Sequence, residues 1–257
     1  MGEERELSTR TAGRDKSLKL AVLEAGADLL QDVTPVRQFD IYVVGFHCAK
    51  ADPQMQMEAH HYCHQVNEEF LQCVIYDGNT ERANLIGIEY IISERLFNEL
   101  PEDEKSYWHP HNYEILSGQL VAPGLPEIAE KAMLKLLMNS YGKTWHTWHS
   151  GRYDEKGRAG DRLPLGDAML MWSFNRDGEV DPSLEQNRNA TMGIDTAAKR
   201  RNRQDLVELA HPQCGVDTLK NRFPNAAQEP PPRVRESGAC PDQSQGPGRA
   251  SEQLSND

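Results

Sequence analysis

The sequence predicts an α+β fold, a single domain with a mainly antiparallel sheet packed by helices and with disordered N- and C-terminal tails. Three observations carry that reading. Strand-like runs come in hairpin-like pairs, helical patterns are inserted between groups of strands without strict alternation, and nearly all aromatic and β-branched residues fall between about 17 and 210.

Residues 17–31 (SLKLAVLEAGADLLQ) place Leu18, Val22, Ala25 and Leu29 on one helical face, stopping before Thr34-Pro35. Residues 39–49 (FDIYVVGFHCA) are aromatic and β-branched and predict a strand. Two more strands, at 71–76 and 85–92, flank a loop opened by Asp77-Gly78, the signature of a hairpin. Ser93 to Glu104 predicts a short helix broken by Pro101, and 107–121 an extended segment. Pro126 to Tyr141 predicts a helix with Pro126 at its first position and Gly142 as its stop. Its apolar stripe is Ile128, Ala129, Ala132, Met133, Leu136 and Leu137. Strand character returns at 143–149, residues 165–175 are apolar without a decisive period, and helical pieces are expected between 182 and 209. Both long amphipathic helices lack a Lys/Arg bias on their polar faces, so both are expected to pack against the sheet.

Residues 1–16 are polar and half of them charged, and 211–257 are rich in Pro, Ser and Gln; both are expected to be largely disordered. The domain is therefore placed at 17–210.

The 257 residues carry a formal net charge of −12, which argues against nucleic-acid binding and against charge-driven adhesion to anionic lipid. No apolar run approaches the roughly 20 residues of a membrane-spanning helix, and the N-terminus does not read as a signal peptide. Position 6 is Glu6 where a myristoylation motif wants Ser or Thr. The expectation is a soluble, intracellular protein. Its five cysteines, without a CxxC pair, are accordingly expected to be reduced.

Eight of the nine histidines lie between His47 and His149, the strongest chemical signal in the chain. His109 and His111 would share one face of a strand, with Glu114 joining them only through a bulge or turn. In EAHHYCH, His60 and His64 share a face on helix or strand, His61 and Cys63 only on a strand. A structural zinc site wants four closed ligands, so any site must be assembled from several segments. Candidate ligands are His47, His61, His109, His111, Glu114 and His146, for a divalent transition metal such as zinc; the bland alternative is packed, locally bonded histidines. Gly142-Lys143-Thr144 does not complete a phosphate loop, because Leu137 stands where the first glycine is required. No GxSxG elbow occurs, so no catalytic residue is assigned. The basic run Lys199 to Arg203 reads as a solvated helix face or a short docking patch.

Four stretches in order, EAHHYCHQVNEEFLQCVIYD, LIGIEYIISERLFNELPEDEK, WHPHNYEILSGQLVAPG and YGKTWHTWH, resemble the oil body-associated proteins, a family first described as a domain of unknown function. The resemblance spans about Leu18 to Arg203; the segment GRYDEKGRAGDR and the C-terminal tail depart from it. It implies a non-enzymatic, peripheral protein of the oil body (lipid droplet), cytoplasmic or droplet-bound, whose partner is the droplet surface or a droplet-resident protein. It supplies no reaction and no active site. The competing expectation is a metal-dependent enzyme or metal-stabilised binding domain built on the histidines.

Overall fold

The computed structural model describes residues 10–150, 160–229, 233–238 and 240. Residues 1–9, 230–232, 239 and 241–257 of the expected disordered stretches, and 151–159 of the departing segment, lie outside these.

The strands are β1 (Ile41–Ala49), β2 (Gln56–Asn67), β3 (Phe70–Tyr76), β4 (Leu85–Ile92), β5 (His109–Pro110), β6 (Tyr141–His146) and β7 (Met169–Trp172). The first four form an antiparallel meander. Asp77 closes the β3–β4 hairpin by accepting from the backbone N–H of Asn84 at 2.7 Å and its side-chain amide at 2.8 Å. The sheet then departs from the expected layer. β4 pairs with β6, β6 with β7, and β7 returns to β1, so six strands close into a barrel with β5 added beside β6. Closure removes free edges and buries both faces of β1, where Val43 through Ala49 are all buried.

Alternation along the strands divides the two faces. Inside, Val43, Cys63, Leu71, Cys73 and Ile91 pack with Ile115, Leu120 and Leu134 toward one end. Ala49, Met57, Ala59, Ile75, Ile86 and Met171 pack with Trp148 toward the other. Outside, Phe46, Cys48 and Trp172 pack against Tyr113, Leu116, Phe174 and Leu206.

Eight α-helices are described: α1 (Leu18–Leu30), α2 (Thr34–Arg37), α3 (Glu94–Asn98), α4 (Glu102–Lys105), α5 (Asn112–Ser117), α6 (Glu127–Leu136), α7 (Pro182–Met192) and α8 (Thr196–Asn202). Several elements differ from the sequence expectations. The segment expected to be extended at 107–121 contributes the two-residue β5, cut short because Pro110 has no N–H for the ladder, and a single bridge from Val121 to Val44. After β5 it turns into α5, whose residues are all buried and which ends at Gly118 with φ 85°. The helix expected to run to Tyr141 stops at Leu136. Asn139, at φ 67°, donates its N–H to Asn112 Oδ1 at 2.7 Å, a tertiary contact that frees Tyr141 and Gly142 to enter β6. Its buried side is Glu130, Leu134 and Leu137, while Ile128 and Leu136 of the expected stripe are exposed. Glu130 sets that rotation by accepting from the Ala122 N–H at 2.9 Å and pairing with Lys199.

The helix α1 forms where expected, capped by the Ser17 hydroxyl, yet no residue of it is buried. It does not pack against the sheet. Nor does the domain end at 210: Val216, Leu219, Phe223, Ala226 and Val234 are buried in the outer cluster. Buried Arg176 pins this stretch by donating to the Val216 carbonyl at 2.8 Å. The basic run is not a free face either. Arg203 is buried and donates to the carbonyls of Ile115 and Leu120, and Arg200 pairs with Asp177. The cysteines, expected reduced, are joined as Cys63–Cys73 and Cys214–Cys240, leaving buried Cys48 free. Register places Cys63 opposite Cys73 on neighbouring strands, with Cα atoms 4.0 Å apart.

Candidate metal centre

Between the two apolar ends of the barrel lies a polar layer. β1 supplies His47, β2 His61, β4 Glu89, β5 His109 and β6 Thr144 and His146, while His111 and Glu114 come from the start of α5. All are buried, none more than 6% exposed. Every candidate ligand read from the sequence is thus in or beside this layer. Glu114 joins through a helical turn and not through a strand, its Oε1 3.9 Å from His111 Nε2. His60 and His64 face outward with the opposite parity; His60 contacts Tyr42 and Glu58, and His64 packs near Phe39.

Glu89 is the central group, and sequence reasoning missed it. Its Oε1 lies 3.3 Å from His109 Nε2 and 3.4 Å from His111 Nε2, and its Oε2 lies 2.9 Å from His61 Nε2. The available signal was one acid in the otherwise apolar strand LIGIEYII, on the inward face with Gly87 and Ile91. A charge there needs a partner inside the barrel.

His109 Nε2 and His111 Nε2 stand 3.2 Å apart. His111 Nδ1 is 2.8 Å from Ser140 Oγ, whose hydroxyl donates onward to the Leu137 carbonyl at 2.7 Å. Ser140 must therefore accept from His111 Nδ1–H, which leaves the Nε2 lone pair facing the layer. His47 Nδ1 is 3.2 Å from His146 Nε2, and His146 Nδ1 is 3.0 Å from Met57 Sδ.

Burial holds His47 and His109 below the usual imidazole range and takes His146 down to about 3. These rings are neutral, the form in which imidazole binds a metal. Burial opposes ionisation of Glu89 as well, but His61, His109 and His111 outweigh it and hold the carboxyl well below its ordinary range. Burial pushes Glu114 up to about 7. Against burial, contact with Glu89 and then the Glu114 charge raise His111.

A closed six-stranded barrel whose interior carries a sealed layer of histidines around one carboxylate defines the structural class. The chain belongs to the family described as "Protein of unknown function (DUF1264)", matched over residues 33–207. Among its relatives are proteins named oil body-associated protein. It is 42% identical to Oil body-associated protein 2B of Arabidopsis thaliana, the match covering 76% of each chain. It is 39% identical to Oil body-associated protein 2A of the same plant, over 76% of this chain and 77% of that one. With Oil body-associated protein 1A of Zea mays it shares 35% identity over 81% and 84% of the two chains. No solved structure matches the chain.

Proposed function

We propose that this protein acts at the surface of oil bodies as a peripheral, non-enzymatic component that contributes to droplet formation or stability. The location comes from relatives named for oil-body association. The observation supporting a peripheral mode is α1. Leu18, Leu29 and Leu30 are 82%, 83% and 84% exposed, and Val22 and Leu23 are more than half exposed. Glu24 and Asp28 fall on the opposite side of the helix, so the exposed apolar stripe can enter a lipid monolayer with its acids in water. No described helix is long and apolar enough to cross a membrane. With a net charge of −12, attachment rests on apolar insertion or on a droplet-resident protein, not on attraction to anionic headgroups.

A metal-dependent enzyme is the other reading that the histidines open. The polar layer is closed by apolar side chains toward both ends of the barrel, which suits a structural role better than turnover.

Flotation with triacylglycerol droplets coated with phosphatidylcholine tests the peripheral reading. The wild-type protein should float at about 0.1 M and about 1 M NaCl alike, and a Leu18→Ser/Val22→Ser/Leu29→Ser variant should remain in the aqueous phase. Equal flotation of the variant would remove α1 from the mechanism. A wild-type protein that never floats, even with isolated oil bodies, would sink the peripheral reading itself.

A further inference from the structure

We infer that the barrel holds one divalent first-row transition-metal ion, with His109, His111 and Glu89 forming one face of its ligand set and His47 completing it from the opposite strand. The inference does not rest on the oil-body reading, and neither result decides the other.

Geometry carries it first. His109 Nε2, His111 Nε2 and Glu89 Oε1 form a triangle with edges of 3.2, 3.3 and 3.4 Å. Ligand atoms bound tetrahedrally at about 2.0–2.1 Å lie about 3.3–3.4 Å from one another. A point at that bond length from all three atoms sits about 0.8 Å out of their plane. His47 borders the same space: its ligand atom and those of Glu89 and His109 all fall within 4.8 Å of one another.

The second observation is unspent polar capacity. Among the described residues, Glu89 Oε1, His109 Nδ1 and both ring nitrogens of His61 are buried without a hydrogen-bond partner. Glu89 Oε1 accepts nothing although two imidazole nitrogens lie within 3.4 Å of it. Buried polar atoms in natural proteins are almost always satisfied, and a cation bound between the two imidazole nitrogens would satisfy Glu89 Oε1, the one of these atoms that belongs to the triangle.

The wall of the site is the third. Gly142 of β6 lies opposite His109 in the β5–β6 pairing. A methyl group there would overlap Glu89 Oε1 and stand 2.6 and 2.8 Å from the His111 and His109 Nε2 atoms. The missing side chain leaves the space in which the three ligand atoms converge.

The surrounding contacts have the form that metal ligands require of their neighbours. Ser140 fixes the tautomer of His111, His146 abuts His47, and His61 faces the second oxygen of Glu89. A donor set of imidazoles and one carboxylate, without thiolate, is one for which zinc is the best match.

The test uses the untagged full-length chain, reconstituted separately with zinc and with cobalt(II), dialysed, and analysed for metal by mass spectrometry. Wild-type protein should retain one equivalent, with the cobalt form showing the intense visible bands of tetrahedral coordination. Glu89→Gln and the double variant His109→Ala/His111→Ala should lose at least ten-fold in occupancy, and His60→Ala/His64→Ala, on the outer face, should keep it. Chelator should lower the wild-type Tm by roughly 10 °C, the scale set by an ion at about a thousand times its dissociation constant. If the ligand variants do not fold, X-ray absorption on the wild-type cobalt form still decides, because it must show imidazole scattering. Less than a tenth of an equivalent in the wild-type protein after both reconstitutions would overturn the inference. So would unchanged occupancy in Glu89→Gln, or a cobalt spectrum of six-coordinate aqua ligands.

Discussion

His109 lies opposite Gly142 across the β5–β6 pairing, and its Nε2 approaches that strand where any side chain would collide with the ligand atoms. A two-residue strand thus suffices to deliver an imidazole into the barrel, because the strand beside it is bare at that point.

Gly142→Ala follows directly from this relationship. The added methyl overlaps Glu89 Oε1 and crowds both histidines, so stability should fall by about 1–3 kcal/mol, the scale of an overpacked core. Urea unfolding measures it. A midpoint equal to wild type would mean that the space is not constrained as described.

Arg203→Lys tests the best-buried part of the basic run. Arg203 donates from one nitrogen to the Ile115 carbonyl at 2.7 Å and the Leu120 carbonyl at 2.8 Å, bridging both ends of the turn after α5. A lysine ammonium on its shorter stem loses the second nitrogen that lies 3.5 Å from Glu130 Oε1 and stops short of the two carbonyls, and a carbonyl left unsatisfied is costly. The expected loss is about 2–3 kcal/mol in chemical denaturation. Arg201→Lys, at an exposed position of the same run, should change it by less than about 0.5 kcal/mol.

Cysteine connectivity is checked by peptide mapping without reductant. Linked peptides should join Cys63 to Cys73 and Cys214 to Cys240, and Cys48 should be alkylated only after unfolding, since it is fully buried. Replacing Cys63 and Cys73 by alanine together should cost about 2–3 kcal/mol through the freed loop between them. Recovery of both cysteines as free thiols from native protein would contradict the cross-strand link.

Asp177 sets a pH dependence. Hydrogen bonds from Arg200, and next from the Tyr113 hydroxyl, hold its carboxyl below the ordinary range despite partial burial. A carboxyl depressed on folding contributes stability above its unfolded value, and that contribution is lost as pH falls through the folded one. Asp177→Asn should therefore flatten the acid limb of the stability profile below about pH 4. Because the pair is half exposed, the change is small. An unaltered acid limb would show that the pairing does not hold in solution.

The sequence by itself determined most of the local elements and the imidazoles of the site. Period-two runs with a turn between them are enough to specify a hairpin, so β3, β4 and their Asp77-Gly78 connection were legible. The crowding of His47, His61, His109, His111 and His146 was legible too, since residue type alone announces ligand chemistry. Only the tertiary structure decided how these parts meet. The barrel closes through β4–β6, β6–β7 and β7–β1, pairings between segments far apart in the chain, two of them spanning just two residue pairs. Such pairings leave no periodicity for a local window to detect. The end of α6 was hidden for the same reason: Leu137 to Tyr141 carry a helical pattern, and the bond from Asn139 to distant Asn112 overrides it. Glu89 looked like an interruption in an apolar strand until closure turned the inner face of β4 toward four other segments. One carboxylate then became the common neighbour of three imidazoles, because a closed sheet forces inward side chains from every strand into one small volume.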